Sequence, residues 1–244
     1  MLIEYEKVYH QVEEKHWWHD SRRDYISKII QKISFDSSCK ILDIGCSTGV
    51  LIEKLSKLTN AEIFGIDVSD NAINACRDRG LVNTKVMNGE KLDYENSTFD
   101  IVIASDCLEH IEDDRKALKE WYRVLKNRGK IIIFVPAFMS IWTELDQISK
   151  HYRRYGRNEL KLKLKNSRFI INRISFWNCM LFIPIFLTRF LYPILQTKMK
   201  YSLGQLPNPI INRLLFSILK IENNILMKTN LPIGVSLFAI CEKR

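Results

Sequence analysis

KILDIGCSTGVLIEKL, residues 40–55, contains two hydrophobic periods in sixteen residues. KILDIG (40–45) is a short apolar run that stops at a glycine. A Ser/Thr/Gly turn follows, and VLIEKLSKL then places apolar residues at 50, 51, 52, 55 and 58. The first pattern is that of a buried strand and the second that of an amphipathic helix, so the stretch reads strand, tight turn, helix. Working outward, AEIFGIDVS (61–69), TKVMNG (84–89), FDIVIAS (99–105) and KIIIFVPA (130–137) read as further strands. DNAINACRDRG (70–80) and EDDRKALKEWYRVLKNRG (112–129) read as the helices between them. The second of these has acids in its first turn and basic residues before a terminal glycine, the polarity a helix dipole favours. RFIINRISFW (168–177) and GVSLFAICEK (234–243) add two strands, while Asn158-Glu159 ahead of LKLKLK (160–165) signals a helix. Seven strands with interleaved helices predict an α/β, doubly wound sheet with helices on both faces.

Composition bounds what such a domain could be. The 244 residues are 46% hydrophobic, and nine glycines with six prolines leave no room for a low-complexity linker. MLIEYEKVYHQVEEKHWW lacks the basic and apolar regions of a secretory leader, so a cytoplasmic protein is expected. Six cysteines occur without a C-x-x-C spacing; they read as reduced thiols, and no metal site is expected. The net charge is +9, and Lys150 to Arg173 carries nine basic residues against Glu159 alone. That +8 segment directly precedes FWNCMLFIPIFLTRFLYPIL (176–195). Anionic lipid and nucleic acid are the partners such a run would attract.

The turn in DIGCSTG (43–49) carries the chemistry. Gly45 permits close backbone approach to a ligand, and Gly49 close contact of helix and strand. Asp67 ends the second strand eighteen residues past Gly49, where a carboxylate can accept ribose hydroxyls. A dinucleotide would fit those two features, but the loop reads G-x-x-x-G rather than the pyrophosphate-seating G-x-G-x-x-G. A nucleoside ligand without phosphates fits better. ILDIGCSTG, FGIDVS, NGEKLDYENSTFDIVIASDCLEHIED and WYRVLKNRGKIIIFVP together resemble the successive motifs of class I S-adenosylmethionine-dependent methyltransferases, over residues 38 to 140. Ser47 and Asn88 depart from that pattern, where a Gly and an Asp are common.

The resemblance implies a mostly parallel sheet whose last two strands run antiparallel, with S-adenosyl-L-methionine as cofactor. Asp43, Gly45, Cys46, Ser47 and Gly49 would then form the loop under its methionine part. Asp67 would hold the ribose, Val68 would pack on the adenine, Asn88, Gly89 and Glu90 would edge it, and Ser105 and Asp106 would face the transfer site. In HWWHDSRRDYI (16–26), Trp18 is expected as a lid and Arg22 as partner of the cofactor carboxylate, against the plainer reading of an aromatic cap. HYRRYGR (151–157) stands where a substrate loop would lie. An oxygen acceptor must lose a proton, and His110, His151 and Glu109 are the candidate bases.

These readings divide the chain into an N-terminal cap (1–35), a cofactor-binding core (36–177), an apolar helical insertion (178–230) and a last strand (231–244). The acceptor is expected to be a small or lipid-linked, amphipathic metabolite such as a glycan or quinone precursor, methylated on oxygen. RNA methylation through the basic segment, and a non-catalytic cofactor-binding module, are the alternatives. In 176–195, Arg189 and the prolines 184 and 193 argue against a transmembrane helix. The insertion is expected either to fold as a lid or to dip into one leaflet. In the second case Arg189 would snorkel and residues 150–173 would sit on headgroups.

Overall fold

The computed structural model describes residues 10, 12–33, 38–191 and 207–244. Helix α1 (Trp17–Lys32) leads into β1 (Lys40–Ile44), α2 (Val50–Ser56), β2 (Glu62–Asp67), α3 (Asp70–Asp78), β3 (Thr84–Val86) and β4 (Phe99–Ser105). There follow α4 (Asp114–Val124), β5 (Leu125–Pro136), α5 (Glu144–Ile148), α6 (Arg157–Asn166) and β6 (Ile170–Trp177). The chain ends with α7 (Phe182–Leu191), α8 (Pro209–Leu226) and β7 (Ser236–Glu242). The sheet order is β3-β2-β1-β4-β5-β7-β6, parallel from β3 to β5, with β7 antiparallel to both its neighbours. The expected seven-stranded, mostly parallel sheet is therefore present.

Both faces of the sheet are covered, which is why its strands read as continuous apolar runs. Leu42, Ile44, Val102, Ala104, Ile131 and Ile133 point to a core shared with α4 and α6. Their alternates Ile41, Ile101, Ile103, Ile132 and Phe134 join Tyr25, Ile26 and Ile30 of α1 and Leu219 and Leu226 of α8.

One boundary departs from the sequence reading. The helix expected to reach Gly129 stops at Val124, because Leu125 already pairs with Phe99 in the sheet. Lys243 Nζ takes up the terminal carbonyls of Arg123 and Leu125, at 3.2 and 2.6 Å. Gly129 marks a close approach of backbones instead: a Cβ there would lie 2.7 Å from the Lys126 carbonyl oxygen.

The segment between β6 and β7 contains α7 and α8, and α8 packs along α1. Asn223 donates to the Ser21 carbonyl and to Asp24, and Asn212 accepts from Trp17 N–H. Glu222, fully buried, accepts from the backbone N–H groups of Asn178, Cys179 and Met180. This part of the chain is thus built into the core rather than hung from it. Pro184 lies in the first turn of α7, where its missing N–H costs nothing; position 193 lies outside the described residues. Among the described residues no helix is long and apolar enough to cross a membrane.

Candidate active site

The strand order reverses between β1 and β4, and ligands of open α/β sheets bind at such a point, beyond the strand C-termini. A cavity of about 710 Å³ lies there, walled by Gly45, Ser47, Asp67, Val68, Gly89 and Asp106 among others. Its volume is that of a typical small-molecule or cofactor pocket.

Its floor is backbone. Gly45 N–H and Cys46 N–H both donate to the Ile66 carbonyl, at 2.8 and 3.0 Å, which ties the loop to the end of β2. Gly49 has φ +78, and a Cβ on it would lie 2.4 Å from Leu81 Cδ1. A side chain at either count would strain the turn. Ser47 adopts φ +47, the conformation for which glycine is the usual solution. Its hydroxyl donates to Glu13 Oε2 at 2.8 Å, as Thr48 does at 3.2 Å. Glu13, from the segment before α1, is a contact the sequence reading missed. It sits in a run of acids without periodicity, so nothing in the sequence marks it.

Asp67 accepts from Ser47 N–H and Ser69 N–H at 3.0 Å each, one on each carboxylate oxygen. The N-cap of α3 is Ser69, which leaves Asp67 on the cavity wall. A carboxylate accepts hydrogen bonds at both oxygens, and from the cavity wall this one can be reached by a ligand's hydroxyls. Val68 is 71% exposed beside it, an apolar side chain open to a ring face. Asn88 accepts from Glu90 N–H at 2.8 Å, and the Gly89 carbonyl takes Trp121 Nε1–H at 2.9 Å, which fixes the far edge. Asp43 and Cys46 are buried beneath the loop, and neither Asp43 nor Ser105 reaches the cavity wall. Burial, with the carboxylates of Glu13 and Asp67 nearby, pushes Asp43 up to about 8. The fit for S-adenosylmethionine is therefore good: a glycine floor, an acid poised for a diol, and buried carboxylates that a cationic ligand would relieve.

Arg22 and Trp18 lie on the opposite side. Arg22 is 2% exposed; it pairs with Asp106 and donates to Ser236 Oγ at 2.9 Å. Its guanidinium stands 4.3 Å from the Trp177 ring centre and 4.9 Å from that of Phe134. Trp18 meets Trp177 edge-on and lines a smaller cavity of about 180 Å³, which shares Asp106 and His110 with the larger one.

The three candidate bases gather at that junction. Glu109, His110 and His151 bring one ligand atom each to within 4.8 Å of one another, although His151 is 41 residues from His110. The two imidazoles meet edge-on at 4.6 Å. Burial, and then His151, hold His110 down to about 3, so it is neutral. Glu109 is fully buried with neither oxygen hydrogen-bonded among the described residues, and burial with Asp106 beside it raises its carboxyl well above the usual range. His151 Nδ1 lies 3.0 Å from Asp146 Oδ1. Burial alone would raise Asp146, but His151, Arg154 and Arg189 outweigh it and hold the carboxyl well below the ordinary value. Asp146 is a second residue that sequence reasoning missed. It is a short-helix acid whose partners come from two separate segments, 151–154 and α7.

Arg189 corrects an expectation. It does not snorkel outward; it donates to Asp146 Oδ2 and the Ile141 carbonyl, both at 3.1 Å, and burial lowers it to about 10. The basic segment is likewise partly committed inward. Arg153 and Lys163 pair with Asp114, Arg154 with Asp146, Arg157 donates to the Ile174 carbonyl, and Arg173 to the carbonyls of Leu226 and Thr229. Five of the nine basic residues of 150–173 are thus engaged in holding the fold.

Residues 42–133 match the family model described as a methyltransferase domain. A ubiquinone/menaquinone biosynthesis C-methyltransferase of Vibrio vulnificus is 29% identical over 171 residues, 62% of each protein. The mitochondrial ubiquinone biosynthesis O-methyltransferase of Schizosaccharomyces pombe is 29% identical over 127 residues, 48% of this chain and 45% of that protein. The chain thus spans less than two thirds of the length of these relatives. Phosphoethanolamine N-methyltransferase 2 of Haemonchus contortus, solved with S-adenosyl-L-methionine, has the same fold. Its TM-score is 0.62 at 21% identity, covering 90% of this chain and 52% of that one. Sequence match and sheet order agree: residues 42–133 carry a methyltransferase domain, and the solved neighbour shows its Rossmann-like fold.

Proposed function

We propose that the protein binds S-adenosylmethionine in the larger cavity and transfers its methyl group to an oxygen of an amphipathic or lipid-linked metabolite at a membrane face. The observation that carries this is the junction of the two cavities at Asp106 and His110, with a cofactor floor on one side and the Glu109, His110, His151 cluster on the other. Asp67 would hold the ribose diol, and the loop from Gly45 to Gly49 would lie under the methionine moiety. Asp43 would order that loop from below, and Val68, Asn88, Gly89 and Glu90 would frame the adenine. Bound cofactor supplies an activated methyl on a sulfonium, a good leaving group. Orientation then provides much of the rate. Loss of the acceptor's proton is assigned to the surroundings of the Glu109, His110 and His151 cluster. Trp18 would close the small cavity, and Arg22 would set Asp106 towards the cofactor.

The acceptor's class is supported by two observations. The relatives named for ubiquinone and menaquinone biosynthesis fit a quinone precursor. Ile183, Leu187 and Phe190 of α7 and Ile210, Ile211 and Leu214 of α8 stand exposed, forming an apolar surface on residues 178–230 that suits a leaflet. RNA is the weaker reading because so much of the basic segment is paired internally.

Incubation of the protein with methyl-labelled cofactor and either total lipid or total RNA tests the proposal. Label in the lipid fraction is expected; label in RNA alone, or none in either, overturns it.

A further inference from the structure

Glu109 poses a problem that general-base chemistry leaves open. Its carboxylate is fully buried, and neither oxygen has a hydrogen-bond partner among the described residues. Such a group costs stability unless something satisfies it. The neighbouring His151, by contrast, already has an outer partner, through Nδ1 on Asp146 Oδ1. An outer carboxylate that fixes the far nitrogen of an imidazole is how metal-ligating histidines are usually held.

We infer that Glu109, His110 and His151 form a binding site for one divalent cation of borderline character, with Zn²⁺ as the type. One carboxylate and two imidazoles are the ligand set of open, catalytic zinc sites, which leave a fourth position for water or substrate. The three ligand atoms already lie within 4.8 Å of one another. Bonds of about 2.1 Å need them roughly 3.4 Å apart, so binding shortens these separations by up to about 1.4 Å. Asp146 keeps His151 in place, and Arg154 and Arg189 keep Asp146 in place.

What the ion would do rests on the proposed methyl transfer to oxygen. The acceptor's hydroxyl oxygen fills the open position, where the cation lowers its pKa. The O–H proton leaves to water, an oxygen lone pair forms the new O–CH3 bond, and the S–CH3 electron pair stays on sulfur, which becomes a neutral thioether. The imidazoles then serve as ligands rather than as bases.

Metal binding is testable without turnover. Full-length protein stripped with a chelator is titrated with Co²⁺, read by visible absorption, and with Zn²⁺, read calorimetrically. One ion per chain is expected. His151→Ala and Glu109→Gln should each weaken binding at least tenfold, and Asp146→Asn about 10- to 100-fold. Far-UV circular dichroism checks the fold of each variant; if the buried-site variants do not fold, His151→Ala decides, since its ring lies at the cavity wall. No stoichiometric uptake by the wild type, or uptake by His151→Ala as tight as wild type, overturns the inference. Ion uptake without methyl transfer would sink the proposed function alone, and transfer by metal-free protein would sink this inference alone.

Discussion

On the β2 side of the cleft the wall is main chain. Gly45 and Gly49 hold left-handed conformations, two N–H groups grip the Ile66 carbonyl, and the ligand-facing groups fall within a few residues of the strand ends. On the β4 side the wall is side chains sent from far apart. His110 follows β4, His151 follows α5, Asp146 lies within α5, and Arg189 comes from α7. The first wall is fixed by hard sterics and local sequence. The second is fixed by charge: one buried carboxylate, Asp146, gathers His151, Arg154 and Arg189. A cofactor common to many enzymes can share a backbone cradle, whereas an acceptor site must be assembled anew.

That contrast can be broken first through its chemistry. His151→Ala should lower the methyl-transfer rate about 10²- to 10⁴-fold while leaving the cofactor dissociation constant unchanged; equal losses in both would merge the two walls into one. Stability is the next largest effect. Asp146→Ala leaves the buried Arg154 and the half-buried Arg189 without their carboxylate and should cost about 3–5 kcal/mol in denaturant unfolding. Gly49→Ala strains one backbone position and should cost less, about 1–3 kcal/mol.

The pH dependence sharpens the comparison further. Asp43 is raised to about 8, so between its unfolded value and 8 the folded state holds the extra proton, and stability falls as pH rises. Burial lowers His16 to about 4 and His110 to about 3, and the buried His19 is also lowered. These histidines give the opposite slope, but only up to their unfolded value near 6.5. The unfolding free energy of cofactor-free protein, read by denaturant titration, should therefore fall from pH 6.5 to 8, by up to about 1.4 kcal/mol per pH unit per proton. Asp43→Asn should flatten that limb. An unchanged limb would remove Asp43 from the account.

The smallest effect on stability belongs to the apolar surface. Leu187→Ser with Phe190→Ser should stay within about 0.5 kcal/mol of wild type, yet reduce flotation with anionic liposomes. Equal flotation would leave the exposed face of α7 without a membrane role.

How much of this was readable in the sequence follows the same divide. KILDIG, FGIDVS and FDIVIAS announced β1, β2 and β4 because strands buried on both faces are apolar throughout, and the turn at Gly45–Gly49 announced itself by residue type. LKLKLK alternates like a strand, yet forms α6, as Asn158-Glu159 indicated. The loss of α4 at Val124 was not readable, because Lys243 and the Phe99 pairing decide it from far along the chain. Arg189 was misread for a related reason: its partner Asp146 is 43 residues away, and a single arginine in an apolar run carries no sign of where it turns. Glu13 over Ser47 and Thr48 escaped notice on the same grounds.

The central claim, that the main-chain wall at β1 and β2 is a cofactor cradle, is tested most directly by calorimetric titration of the purified protein with S-adenosylmethionine, repeated with Asp67→Ala. The account predicts one site per chain in the wild type and binding at least about tenfold weaker in the variant, the value of a charge-assisted hydrogen bond of roughly 1.5–3 kcal/mol. No binding heat in the wild type, or identical isotherms for the two proteins, would contradict it.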